Sequence, residues 1–196
     1  KGLDIAAGNG SRLRAVSDSK PLTPVAGVPL IERVIAGAAA AGLRDFVVVT
    51  GHAAERVEPF LATLPARLGV AVECVRVADW ERPNGHSVVA GAEAAGGDFL
   101  LMMADHLFDP GIAAGLIATG RPQGVTLAVD RDVGGAHVDL ADATKVEVAP
   151  DGRIAAIGKA LASFNAIDTG LFRATPALAA AIRDHVAGGG AGSLSA

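Results

Sequence analysis

Gly2-Leu-Asp-Ile-Ala-Ala-Gly-Asn-Gly-Ser-Arg-Leu13 opens the chain with a short apolar strand that runs straight into a glycine-rich loop. The strand covers residues 2–6. In α/β folds such strand-to-loop junctions lie at the carboxyl edge of a parallel sheet, where ligands bind. The same alternation repeats downstream. Residues 30–41 carry helical spacing (Leu30, Val34, Ile35, Ala38) and stop at Gly42, a helix terminator. Residues 46–50 read as a strand, 53–64 as a helix with Pro59 as its kink point, and 70–77 as a strand. Helices over 87–95 and 111–118 flank a strand over 98–103, and a further strand covers 125–130. The rhythm then changes. Residues 144–149, the Asp151-Gly152 turn and residues 153–158 read as a β-hairpin. A strand over 166–173 and a helix over 176–186, opened by Pro176, complete the pattern. Repeated βα units predict a three-layer, doubly wound α/β fold: a mostly parallel sheet, covered on both faces, with a late antiparallel hairpin extension.

Composition narrows the function classes. The 196 residues suffice for a single domain with a substantial core. Half of them are hydrophobic, yet the apolar runs, such as 46–49, 99–103 and 125–129, are far shorter than the roughly 18 residues of a membrane span. A formal net charge of −4 with no basic cluster argues against nucleic acid as a main partner. It leaves room for a phosphate ligand, which needs only a few local cations. The single cysteine, Cys74, sits in an apolar pattern and is expected in the core, in keeping with a reducing, cytoplasmic setting. The start lacks the pattern of a signal peptide. Both ends read as cut, so residues 1–196 are expected to be a single domain truncated at its C-terminus.

The first loop carries chemistry as well as fold. Gly8 and Gly10 let backbone N–H groups approach a phosphate, and Arg12 and Lys20 add two fixed positive charges. A dinucleotide loop needs a small residue where Leu13 stands, and a Walker A loop needs Gly-Lys-Ser/Thr, which is absent. The remaining readings are a tight turn with solvated cations and, favoured by the paired cations, a triphosphate-binding loop. Asp105 follows the strand over 98–103, again at the ligand-bearing edge. It reads either as a cap for the next helix or as a ligand for Mg²⁺, which takes one or two carboxylates plus phosphate oxygens and water. His106 reads as a substrate contact or as an ordinary loop histidine. Asp168 interrupts an apolar strand, where a carboxylate costs free energy unless paired or coordinated.

Gly8-Asn-Gly-Ser-Arg12, followed by Lys20-Pro21, resembles the signature of the nucleoside-diphosphate-sugar pyrophosphorylase superfamily, and Val25-Ala-Gly-Val-Pro-Leu-Ile31 looks like its continuation. Asn84-Gly-His-Ser-Val88, Met103-Ala-Asp-His106, Ala143-Thr-Lys-Val146, Ile157-Gly-Lys159 and Asp168-Thr-Gly-Leu-Phe172 follow in an order similar to the CTP:inositol-1-phosphate cytidylyltransferases. The resemblance continues to Gly192-Ser-Leu-Ser195. It implies a nucleotide-diphospho-sugar transferase-like fold and the joining of CTP to inositol 1-phosphate, giving CDP-inositol and pyrophosphate. By the same resemblance, Arg12 and Lys20 are the catalytic cations. Ala6, Ala7, Gly8, Asn9, Gly10 and Ser11 hold the nucleotide, and Asn84, Gly85 and Ser87 line its base and ribose. Asp105 binds Mg²⁺. Lys159, and more weakly Lys145, meet the acceptor phosphate, although either could be an ordinary exposed lysine. Asp168 and Thr169 face the polyol or the metal. Members of that family are often fused to a membrane-embedded CDP-alcohol phosphotransferase, which would hold a cytoplasmic domain at the inner membrane surface. Related enzymes also draw a second metal-binding Asp from a late Trp-x-Asp segment, which these residues do not contain; their single tryptophan, Trp80, is expected in a loop beside the active site.

Two other readings stand beside this one. The acceptor could be a sugar 1-phosphate, since hexoses and inositol present similar rings of hydroxyls. A phosphocholine acceptor would need an aromatic cage, and the chain has one Trp and no Tyr. In a different class, the domain could be a non-catalytic nucleotide-binding module that regulates a partner.

Overall fold

The computed structural model describes residues 1–9, 18–120, 124–135 and 138–194. The chain starts in β1 (Gly2–Ile5); after a 3-10 turn (Lys20–Leu22), a two-stranded hairpin of β2 (Pro24–Val25) and β3 (Val28–Pro29) delivers it into α1 (Leu30–Ala40). There follow β4 (Asp45–Thr50), α2 (Ala54–Leu61), α3 (Leu64–Leu68), β5 (Ala71–Arg76), α4 (Gly85–Ala95) and β6 (Phe99–Met103). The remainder comprises α5 (Pro110–Thr119), β7 (Val125–Asp130), β8 (Lys145–Val148), β9 (Ile154–Gly158), β10 (Ala166–Ala174) and α6 (Pro176–Ala187).

All of the strands except β2 and β3 form one eight-stranded sheet. Its first half is parallel, in the order β5-β4-β1-β6. From β1 the chain winds outward through β4 to β5, then returns to the other side of β1 as β6. The strand order therefore reverses between β1 and β6, the switch point at which open α/β sheets leave a crevice for ligands. The second half is organised by β10, which runs antiparallel to β6, β7 and β8. β7 accompanies β10 from end to end. On the opposite side, β6 pairs residues 172–174 and β8 pairs residues 166–167. Between these two stretches the register shifts at a bulge from Asp168 to Phe172. β9 closes the sheet against β8 as the expected hairpin, turning at Gly152.

Alternating side chains feed two cores, as a doubly covered sheet requires. Phe46, Val48, Leu100 and Met102 point toward α1, α2, α3 and α5; Leu3, Val47, Val49, Phe99 and Leu101 point toward α4 and α6. Each large side chain fully buried in this way contributes about 1.5–3 kcal/mol. The predicted three-layer architecture is what forms.

Two local expectations are corrected. The helix expected over 53–64 is divided. Pro59 lacks an N–H and lies inside α2, which ends at Leu61, and Pro65 then opens α3. Cys74 is exposed, because β5 pairs only with β4 and forms the sheet's open edge.

One residue breaks the apolar pattern of the parallel half. Asp4, in the middle of β1, is completely buried, and neither carboxyl oxygen has a hydrogen-bond partner among the described residues. Burial pushes its pKa well above the carboxylate range, and the negative charge of Asp105 adds to this. A pull from the Ile5 N–H opposes them and is weaker.

Candidate active site

Two clefts open along the carboxyl edge of the parallel strands and meet. The smaller, about 170 Å³, is walled by Ala6 and Gly8 after β1, Trp80 to Ser87 before and within α4, and Ala104 and Asp105 after β6. The larger, about 700 Å³, extends from Met103, Asp105 and His106 to the 138–144 loop, Lys159 and the bulged part of β10. Lys20, Asn84 and Asp105 line both.

The junction is built by backbone geometry. β6 stays in the sheet until Ala104, whose N–H donates to the Ile5 carbonyl, and a tight turn closed by His106 N–H onto the Met103 carbonyl lifts Asp105 above the edge. The cap of α5 is Asp109, whose carboxylate accepts from Gly111 N–H at 2.7 Å. Asp105 is thereby freed from the capping role that the sequence left open. On the facing side, Leu22 N–H donates to the Ser19 carbonyl and Thr23 N–H to the Lys20 carbonyl, forming the 3-10 turn that presents Lys20.

Lys20 Nζ and Asp105 Oδ2 form an ion pair across the junction, and His106 Nδ1 lies 2.9 Å from Asp105 Oδ1. Burial pushes the Asp105 carboxyl upward, but the combined hydrogen bonds and charges of His106 and Lys20 hold it well below the usual carboxylate range. His106 is raised, first by its hydrogen bond to Asp105 and then, against the penalty of burial, by the charges of Asp105 and Asp168. Asp168 is itself raised by burial, despite the Gly170 N–H donated to its Oδ1 at 2.7 Å and the nearby His106. Gly170 has φ +75°, and a Cβ there would stand 2.9 Å from the His106 ring. The bulge of β10 therefore allows the imidazole to sit between the two carboxylates.

Of the residues singled out in the sequence, Ala6, Gly8, Lys20, Asn84, Ser87 and Asp105 come together around the small cleft. A Cβ on Gly8 would meet nothing within 4 Å, so the space in front of that backbone belongs to the cleft. Gly10, Ser11 and Arg12 lie outside the described residues. Asp168 and Lys159 line the large cleft, where Lys159 Nζ pairs with Asp142 at 2.7 Å.

Five residues are placed otherwise. Ala7 is buried, and its carbonyl accepts from His52 N–H. Asn9 is half-buried and is not part of either wall. Gly85 lies under the chain at Gly192, whose carbonyl a Cβ would strike. Thr169 turns away from Asp168, as neighbours on a strand do, and donates its hydroxyl to the Ala128 carbonyl at 2.7 Å. Lys145 reaches back along the hairpin, donating to the Lys159 carbonyl at 2.7 Å with its ammonium 5.7 Å from the Phe164 ring centre. Trp80, expected in a loop beside the site, lines the small cleft; Arg82 in the same cleft, and Asp139 and Asp142 in the large one, were not singled out from the sequence. The signal for the two aspartates was an Asp-Leu-Ala-Asp run after a turn.

Among the described residues, no group of three His, Cys, Asp or Glu side chains is arranged to hold a metal ion, and no helix is long and apolar enough to cross a membrane.

Comparison with known proteins matches residues 4–185 to the family described as MobA-like NTP transferase domain. The chain is 36% identical over 169 residues to a protein of Rubrobacter xylanophilus named bifunctional IPC transferase and DIPP synthase, covering 86% of this chain and 37% of that protein. The chain thus spans little more than a third of that relative's length. Its structure is similar to the inositol-1-phosphate CTP transferase from T. maritima, with a TM-score of 0.80 and 26% identity over 91% of this chain and 71% of that one. UDP-glucose pyrophosphorylase complexed with UDP-glucose has the same fold, with a TM-score of 0.75 and 19% identity over 93% and 78% of the two chains.

Proposed function

Because the chain belongs to the MobA-like NTP transferase family, we propose that it joins CTP to inositol 1-phosphate, giving CDP-inositol and pyrophosphate. The observation that carries this is the Lys20–Asp105 pair at the meeting point of two clefts, one narrow and one wide and polar. A transfer between two phosphates needs such a junction. The nucleotide occupies the small cleft and the polyol phosphate the large one. A phosphate oxygen of the acceptor attacks the α-phosphorus, and pyrophosphate leaves in line. The attacking oxygen is already anionic, so no general base is required, and rate comes from positioning and charge neutralisation. Lys20 supplies a cation for the triphosphate, and Arg12 a second. Lys159 meets the acceptor phosphate on the far side of the large cleft. Asp168 and the Asp139–Asp142 loop offer carboxylate acceptors for hydroxyl groups, which suits a polyol.

The donor set fits a magnesium ion. Asp105 is held ionised at the junction, and a single carboxylate completed by substrate phosphates and water suits Mg²⁺. When bound, magnesium would neutralise charge developing on the phosphates. The acceptor is assigned by the similarity to the T. maritima transferase and to the R. xylanophilus protein. That relative's bifunctional name supports a setting in which the product of this domain passes to a second activity.

Pyrophosphate release tests the reading. The intact protein is given Mg²⁺ and each common nucleoside triphosphate, with inositol 1-phosphate, glucose 1-phosphate or mannose 1-phosphate. Release with CTP and inositol 1-phosphate alone is expected. Release only with a sugar phosphate would overturn the acceptor, and tight CTP binding without release from any pair would replace the enzyme with a binding module.

A further inference from the structure

The small cleft has one feature that the transfer chemistry does not use. Among the described residues, Trp80 is the only aromatic side chain in its wall, and it lines this cleft and not the large one. Lys20 and Asp105 fix the phosphate end of a bound nucleotide at the junction. Trp80 and Arg82 then stand on the side that the large cleft does not reach, where the base must lie.

Trp80 is seated by its surroundings. Part of the indole rests on the core beneath α4. The His52 ring meets it edge to face, with centroids 5.0 Å apart and planes at 72°. Gly51 makes room for it: a Cβ there would lie 2.5 Å from Trp80 Cβ and 3.0 Å from the Ala7 carbonyl oxygen. His52 N–H donates to that same carbonyl. Trp80 is thus locked to the backbone just before Gly8, which also faces the cleft. An indole packed on a core and braced by a second ring is a rigid flat wall. Every nucleobase presents a flat π-face to such a wall.

We propose that Trp80 is the platform on which the nucleotide base packs, with His52 and Gly51 as its positioning residues. This rests on the nucleotidyltransferase reading above and adds to it a base-contacting residue. Packing of this kind tolerates every base, so Trp80 supplies affinity and leaves the choice of base to other groups.

The chain has one Trp and no Tyr, so its indole fluorescence reports on this position alone. The 196-residue chain is titrated with CTP or CMP, and separately with inositol 1-phosphate, while emission is followed. Calorimetry gives the Kd in parallel. Nucleotide alone is expected to change the emission saturably, with the calorimetric Kd, and inositol 1-phosphate alone to leave it unchanged. Trp80→Ala is expected to weaken CTP, UTP, ATP and GTP alike, by about 5- to 100-fold in Kd, the range of one base–aromatic stack. Trp80→Phe should keep most of the affinity, and neither change should move the acceptor KM. His52→Ala should change the emission response to nucleotide while the protein still folds. Calorimetric binding with unchanged emission, together with wild-type affinity in Trp80→Phe and Trp80→Ala, would overturn the inference and leave the function intact. Absence of nucleotide binding to the wild type would overturn both. Should Trp80→Ala fail to fold, the wild-type titration still decides.

Discussion

The small cleft takes its walls from segments that leave parallel strands: Ala6 and Gly8 after β1, Trp80, Arg82, Asn84 and Ser87 after β5, Ala104 and Asp105 after β6. The large cleft is assembled from the 138–144 loop, the end of β9 and a bulged β10, all on the antiparallel side. The first is narrow, and its lining mixes small residues such as Ala6, Gly8, Ser87 and Ala104 with Lys20, Trp80, Arg82 and Asp105. The second is roughly four times larger and carries Asp139, Asp142, Asp168, His106 and Lys159. On the function proposed above, one half of the sheet serves the nucleotide, the ligand common to every such transfer. The other half suits a variable ligand chosen by its charged side chains. Exchanging loops in the second half would change the acceptor without disturbing the first.

The largest effect should come from the residues that belong to both clefts. Lys20→Ala and Asp105→Ala are each expected to lower kcat about 100- to 1,000-fold, the range for losing one electrostatic group at a reacting centre. The loss, read as the rate of pyrophosphate release at saturating substrates, should be the same for every acceptor. A loss that depended on the acceptor would place these residues in the large cleft alone. A smaller effect should separate the clefts. Lys159→Ala is expected to raise the acceptor KM about 10- to 100-fold, as for a lost charge-assisted hydrogen bond, while the nucleotide Kd holds. Lys145→Ala, two strands away in chain order but turned to the hairpin, should alter either constant by no more than about twofold. Steady-state kinetics of both variants test whether the structure has separated these lysines correctly.

The smallest effect concerns stability and leaves turnover unchanged. Asp4 lies beneath the parallel half, and its folded-state pKa is raised above its unfolded value. The folded chain therefore keeps a proton that the unfolded chain has released. Stability should fall as pH rises from the ordinary carboxylate range through the folded pKa. Asp4→Asn should remove that slope and, above the folded pKa, leave the protein more stable by about 1–3 kcal/mol, the cost of an unsatisfied buried polar group. Urea unfolding of both proteins across a pH series measures it.

The parallel half was legible because its signals are local. Apolar runs at 46–49 and 99–103 mark buried strands, and glycine after a strand marks a loop open to ligand. Lys20 and Asp105 were found separately and meet in the structure. The antiparallel half was legible only as elements. Periodicity located 166–173 as a strand but contained nothing about its two neighbours on one side or the bulge that parts them. That is why Thr169, next to Asp168, read as a site residue although its hydroxyl serves β7. The same limit explains Cys74: an apolar pattern marks a strand, and only pairing shows that the strand is an edge. Trp80 was legible as a loop residue beside the site, but its seat against His52 and Gly51 was not, because a side chain presented by an irregular loop has no period to reveal its direction.

The shared use of β10 also sets an order on biosynthesis. During translation β6 emerges with the apolar run Phe99-Leu-Leu-Met-Met103 and finds β1 waiting on one side. Its other side has no partner until residues 172–174 are made. Over that interval of roughly seventy residues the nascent chain exposes an apolar strand edge, the kind of surface that recruits foreign strands and chaperones. When β10 does arrive, it closes β6 and gathers β7 and β8 in the same act, so the large cleft comes into being late, whereas the described residues that line the small cleft all precede β10 in the chain. A ribosome stalled before residue 166 would hold a chain that contains every described residue lining the small cleft and lacks the β10 wall of the large one.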